Sequence, residues 1–434
     1  MKHRYVVVAL ALTMANIADA QTDTIAFRKT GFSFGALPAV AYDNDLGFQY
    51  GALVNMYWYG NDYPDFHHSL YLECSRYTAG TSLVRAYFDS RKLLPNTRFT
   101  ADITSLNDIA CDFSGFNGRE TRYNEDYTNR NSSQYISSVF YAHKRNMIRF
   151  MINAKQPIGQ SHSFWQAGAN IFRMRIGSVD RSKLRHHVPD VEGVYDKYVA
   201  WQIIKPAEAD GGTDTYLRAG FGVDTRNDES FPTHGVWTEV LFAVAPKQFS
   251  ADENEYGKLT IYHRQYISLV EQRTAVAYRI GWQHKLWGKV PFYLLPHWNT
   301  GILGAATSQG LGGSKTLRGI VRNRIVGNGS LMANIELRHI FGHLYILNQD
   351  FSVGTNIFTD MGIVTQKYKS DMSKVPENER ELYFTGKKET LHQSIGIGLK
   401  IAMNKNFIVS ADWGKALSAN DGTSGLYVTM NYLF

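Results

Sequence analysis

The chain has 434 residues, 44% of them hydrophobic and 20% charged, with 26 Tyr, 37 Gly, only 2 Cys and a formal net charge of +7. No long run of helix-period apolar residues marks a large soluble core, and no apolar segment reaches the ~20 residues that a membrane-crossing helix needs. The basic residues are scattered, without the stripe or tail of a nucleic-acid binder, and Cys74 and Cys111 lack metal-ligand or redox spacing, so they read as free or incidental thiols, with an extracytoplasmic disulfide the alternative.

In chain order, residues 1–20 read as a signal peptide. Lys2 and Arg4 precede an apolar run from Tyr5 to Met14, and Ala18-Asp19-Ala20 offers a small-x-small cleavage site before Gln21. Gln21 to Phe34 then forms a short periplasmic segment, with the body of the fold expected over 35–434. Gly35–Tyr42 and Leu46–Trp58 flank the polar turn Asp43-Asn44-Asp45 and read as a first hairpin. Strands follow at Ser69–Tyr77, Thr81–Phe88, Thr97–Leu106, Gln134–Ala154 and Ser163–Met174, with polar loops at Arg119–Ser133 and Arg181–Gly212.

A tight turn is expected at Asp224-Thr225-Arg226-Asn227-Asp228, continuing through Phe231-Pro232-Thr233-His234-Gly235. Asp and Asn cap such turns, Pro232 fixes φ, and Gly235 permits an unusual backbone angle. Val236–Ala245, Tyr256–Ile267 and Thr274–His284 follow as strands. In the last, Val276, Tyr278, Ile280 and Trp282 would face lipid and Arg279 the lumen, because a mid-membrane arginine on the lipid side costs ~2–4 kcal/mol. Leu286 to Ser330 is strand-poor and contains Gly312-Gly313-Ser314-Lys315-Thr316-Leu317-Arg318-Gly319-Ile320.

Beyond it, Leu331 to Arg338 and Phe351 to Gly362 read as strands, and Asp371–Thr390 as a charged loop. Ile395, Ile397, Leu399 and Ile401 alternate with Ser394, Gly396, Gly398 and Lys400, and Phe407 to Trp413 continues the pattern after a turn at Asn404-Lys405. The chain ends in an alternating run, Leu426 to Phe434, closing on Tyr432 and Phe434. About sixteen strands result, an even number, with every long loop on one side.

Leu317-Arg318-Gly319-Ile320 resembles the (V/L)RG(F/Y) loop of the BamA/TamA outer-membrane assembly superfamily, also called the bacterial surface antigen family. Asp224, Arg226, Pro232 and Gly235 match its periplasmic turn. Asn334-x-Glu336-x-Arg338 and Phe358-x-Asp360-x-Gly362 resemble the two strands after the loop, and Tyr432 with Phe434 resembles a C-terminal barrel signal. The resemblance implies an all-β transmembrane antiparallel barrel with an extracellular loop folded into its lumen, where Arg318 pairs with Glu336 and Asp360. Ile320 departs from the aromatic residue usual there. Relatives carry POTRA domains ahead of the barrel, and the short segment before the first strand leads us to expect a member without them.

No G-x-S-x-G elbow, P-loop or H-E-x-x-H helix occurs, so no enzyme, catalytic residue, metal site or cofactor is expected. His67-His68 and His186-His187 are adjacent pairs, and neighbouring strand residues point to opposite faces, so neither pair chelates one metal. Two functions lead, with an outer-membrane enzyme a distant third. One is assistance to insertion or translocation of proteins at the Gram-negative outer membrane, through a weak seam between first and last strands. The other is a passive pore or a structural, dimeric barrel. Expected partners are outer-membrane lipids, nascent outer-membrane proteins or assembly subunits, and a second copy of the chain; nucleic acid is not expected.

Overall fold

A computed structural model describes residues 30–60, 66–184, 187–229, 231–249, 254–271, 273–300, 310–346, 349–403, 407–430 and 432–434. The segment read as a signal peptide, the Asn404-Lys405 turn and His186 lie outside the described residues.

Sixteen strands form one closed antiparallel barrel in which each strand pairs with its neighbours in the chain and β1 meets β16. They are β1 (Gly31–Asp43), β2 (Gly47–Tyr59), β3 (Phe66–Tyr77), β4 (Ser82–Leu94) and β5 (Thr97–Asp112). Next come β6 (Ala142–Pro157), β7 (Ser163–Gly177), β8 (Gly211–Asp224), β9 (Gly235–Ala245) and β10 (Tyr256–Val270). The rest are β11 (Thr274–Gly288), β12 (Gly329–Ile346), β13 (Gln349–Gln366), β14 (His392–Met403), β15 (Phe407–Ala416) and β16 (Ser424–Met430). No described helix is long and apolar enough to cross a membrane.

Side-chain alternation sets the two faces, since successive strand residues point to opposite sides. On β14, Ile395, Ile397 and Leu399 are about half exposed, whereas Ser394 and Lys400 are buried. On β11, Ala275, Ala277, Arg279 and Gln283 are buried and Ile280 is exposed. An apolar outer surface around a polar interior is what hydrocarbon surroundings demand of a barrel wall.

Most strands run longer than the sequence reading, and three of the changed boundaries bear on the site or the lid. β1 begins at Gly31, within the segment expected to precede the barrel. β6 begins at Ala142, not Gln134, because Phe140 and Tyr141 turn away from the wall into an aromatic cluster above it, with Ile136 packed against that cluster. β16 ends at Met430, so Tyr432 and Phe434 do not continue the lipid-facing alternation.

Long loops collect at one end of the barrel and build a lid. Three short helices take part: α1 (Val194–Ala200), α2 (Pro206–Ala209) and α3 (Glu377–Tyr383). Phe113, Phe140, Tyr198, Trp201, Phe292 and Tyr383 belong to the lid's buried core, with Phe113 edge-on to Tyr198 and Trp201 edge-on to Tyr383. Such edge-to-face pairs add to area burial. Burial raises the hydroxyl pKa of Tyr195 and Tyr198 in α1, so both remain neutral phenols.

Candidate functional site

The loop between β11 and β12 leaves the rim at Lys289 and re-enters the wall at Gly329. Within it, Leu311, Leu317, Ile320 and Ile325 form a small apolar core with Met332 of β12, Val364 of β13 and Tyr262 of β10. Met332, Val364 and Tyr262 lie on the buried face of their strands, so this loop is packed against the inside of the cylinder. Ile320, the residue expected to be aromatic, is wholly buried in this aliphatic cluster.

Arg318 is 1% exposed, and its surroundings explain why a cation is tolerated there. Its Nε donates to Asp360 Oδ2 at 2.9 Å and its Nη2 to Asp360 Oδ1 at 3.0 Å, the forked pairing that guanidinium geometry favours. Its backbone N–H also donates to Asp360 Oδ2, at 2.9 Å. Nη1 lies 2.7 Å from Glu336 Oε1 and 3.5 Å from Asp412 Oδ2. The Glu336 contact is an ion pair by distance but lacks hydrogen-bond alignment, since neither atom has a hydrogen-bond partner. The Phe358 ring lies 3.4 Å beneath the guanidinium carbon.

The surrounding acids have further cations. Arg338 Nε donates to Glu336 Oε2 at 2.8 Å, and Lys400 Nζ reaches both oxygens of Asp412, at 2.7 and 2.8 Å. Three cations therefore face three acids in this contact network. Mutual pairing of this kind offsets the desolvation penalty that each buried charge would carry alone.

Two glycines bring loop and wall into backbone contact. Gly319 has φ +88°, and a Cβ there would sit 2.5 Å from the carbonyl carbon of Gly414 in β15. Conversely, a Cβ on Gly414 would sit 2.7 Å from the Arg318 carbonyl carbon. The Gly319 N–H donates to the Tyr427 hydroxyl of β16 at 3.1 Å. Farther out, Arg322 Nε donates to Asp112 Oδ2 at 2.7 Å, and Arg324 donates to the Thr121 carbonyl at 2.8 Å and the Asn420 carbonyl at 2.7 Å. The loop is thus tied to both the wall and the lid.

The β8–β9 turn occupies the opposite end. Arg226 forks onto Asp224 at 2.9 and 2.8 Å and stacks on Trp237 at 4.1 Å. Gly235 has φ +104°, where a Cβ would sit 2.3 Å from the Thr225 carbonyl oxygen. Pro232 is buried, and Phe231 packs edge-on against Tyr432 at 5.3 Å.

Tyr432 and Phe434 turn into the lumen. The Phe434 carbonyl oxygen accepts from Arg338 Nη2 at 2.9 Å, and the Tyr432 ring lies 4.3 Å from the Arg338 guanidinium. The wall departs from regularity at the same place. Among the described residues, only Tyr42–Val428 and Asp43–Tyr427 join β1 to β16, while β1 meets β2 along all thirteen of its residues. Among the described residues, most of the β1 edge, from Gly31 to Ala41, has no register partner on β16.

The structure therefore brings Leu317, Arg318, Gly319, Glu336 and Asp360 together, and places Asp224, Arg226, Pro232 and Gly235 with Tyr432 at the other end. Sequence reasoning gave Phe358 only as a motif residue and Lys400 only as a lumen-facing one, and it missed Asp412, Gly414 and Tyr427 as parts of the site. Phe358 and Asp412 carried a signal, since alternation puts Phe358 on the same face as Asp360 and Asp412 opposite Trp413.

Residues 74–434 match the model described as the Omp85 superfamily domain. The chain belongs to the Omp85 superfamily. Among solved structures, this Omp85 barrel is similar to BamA from Haemophilus ducreyi lacking POTRA domains 1–3, at 17% identity and a TM-score of 0.58, covering 99% of this chain and 78% of that one. It is also similar to CdiB from Escherichia coli, at 11% identity and a TM-score of 0.55, covering 94% of this chain and 64% of that one. At these identities the likeness is one of fold. No curated protein sequence matches the chain.

Proposed function

We propose that this Omp85 barrel resides in the outer membrane and assists the insertion or translocation of other proteins there. The observation that carries the reading is the β1–β16 junction, held by two register pairs. An unpaired strand edge exposes a row of N–H and C=O groups able to pair with an incoming strand. The β1 edge is such a row, bordered by the exposed side chains of Phe32 and Phe34. The charged and then apolar run over residues 1–20 supports export.

The competing reading is a passive pore or a structural barrel. The loop held by Arg318 fills part of the lumen, which disfavours a wide, open channel. Reconstitution of the full chain into liposomes separates the two. Faster folding of a second, unfolded barrel protein supports assembly. Ion conductance without such acceleration overturns it in favour of the pore.

A further inference from the structure

We infer that the outer face of β3 to β7, at the lid end, is a binding surface for phosphorylated lipid headgroups. The assignment rests on the membrane-spanning reading above. Strand register puts Arg76, Ser82, Asn107, Asn146 and Arg175 side by side, in one row across five strands. Parity and exposure turn this row outward: Arg76, Asn107 and Arg175 are exposed, while their neighbours in each strand are buried or half-buried. Arg173 is also exposed and lies two residues further down β7. Lys144 lies opposite Gly177 beyond the row, its Cε and Nζ 3.8 and 4.0 Å from where a Gly177 Cβ would be.

Below this the surface becomes apolar. Register aligns Ala86, Ile103, Phe150 and Ile171, with Ile103, Phe150 and Ile171 exposed. Trp165 and Arg173 share a face eight positions apart, about 27 Å along the strand and about 20 Å along the bilayer normal at the usual tilt. Trp165 thus marks one edge of the hydrocarbon belt, and the four cations stand at the other, at headgroup depth.

These cations lack acidic partners. Arg76, Lys144, Arg173 and Arg175 make no side-chain ion pair or hydrogen bond among the described residues. The acids of β3 to β8 are engaged elsewhere: Glu73 with Gln49, Asp89 with Arg98, Asp102 with Arg149, Asp108 with Arg145, Asp112 with Arg322, Asp214 with Tyr256 and Asp224 with Arg226. Four outward cations with neutral amides and hydroxyls between them, at the depth of the headgroups, complement phosphate groups held at that depth.

The test uses the purified full chain in mild detergent, offered diphosphoryl lipid A, dephosphorylated lipid A or phosphatidylcholine, with retained lipid counted by native mass spectrometry. The wild-type chain should retain the diphosphoryl form about tenfold or more over the dephosphorylated one. K144Q/R173Q/R175Q should lose that preference, and K144R/R173K/R175K should keep it. Equal retention by wild-type and triple-glutamine chains, or displacement of the lipid by millimolar inorganic phosphate, would overturn the assignment. Flotation with liposomes separates the two readings: a chain that does not float overturns the membrane reading, and one that floats without headgroup preference overturns this surface alone.

Discussion

Asp360 holds Arg318 at three points, accepting from its Nε at 2.9 Å, its Nη2 at 3.0 Å and its backbone N–H at 2.9 Å. Removing one partner of a buried, hydrogen-bonded pair costs about 3–5 kcal/mol. Arg318→Ala should therefore lower the temperature of the heat-modifiable gel shift and open residues 310–328 to protease. Arg318→Lys should recover only part of the loss, because an ammonium cannot fork onto both oxygens. An unchanged gel shift and protease pattern for Arg318→Ala would refute the holding role.

Gly319 and Gly414 test the backbone contact independently of charge. Gly319→Ala would strain a positive φ and collide with Gly414, so a loss of about 1–3 kcal/mol is expected, read by the same gel shift. Gly414→Ala should match it, as the collision is reciprocal. Wild-type behaviour of both would mean that the loop stands off the wall.

The seam yields a covalent test. In a C74S/C111S background, Tyr42→Cys with Val428→Cys places thiols at register partners, whose Cα spacing in antiparallel sheet suits a disulfide. Oxidation should lock β1 to β16 and abolish assisted folding of a second barrel protein, and reductant should restore it. Equal acceleration before and after oxidation would show that the seam does not open in the reaction.

The inward turn of the tail depends on Arg338, which touches the carbonyl of Phe434 and the ring of Tyr432. Arg338→Ala should make the last residues susceptible to carboxypeptidase in folded protein. Resistance equal to wild type would assign the tail's position to Phe231 and the β8–β9 turn instead.

The two thiols report facing. Cys74 is exposed on β3, and Cys111 is buried. An apolar maleimide should modify one cysteine in folded, membrane-embedded protein and two after denaturation. Two in the folded state would contradict the assignment of faces.

Alternation made the wall legible, because lipid outside and water inside impose opposite chemistries on adjacent residues; Arg279 alone oriented β11. Arg318, Glu336 and Asp360 were reached through a resemblance, not through periodicity. The Gly319–Gly414 contact was invisible, since nothing in a single sequence tells which glycine faces which across a lumen. The lid misled for a related reason. Ile136, Phe140 and Tyr141 satisfy a strand pattern, but their burial is decided by loops far away in the chain. The tail misled too: Tyr432 and Phe434 keep the lipid-facing alternation, yet cation–aromatic contacts inside draw them off the wall.

The Arg318 loop touches more than the strands that bear its acids. Through Gly319 it leans on β15 at Gly414 and on β16 at Tyr427, the strand beside the seam. It is a crossbeam from the middle of β12 and β13 to the strand at the junction with β1, so a displacement of β16 would disturb the backbone contact at Gly319, one residue from the buried guanidinium.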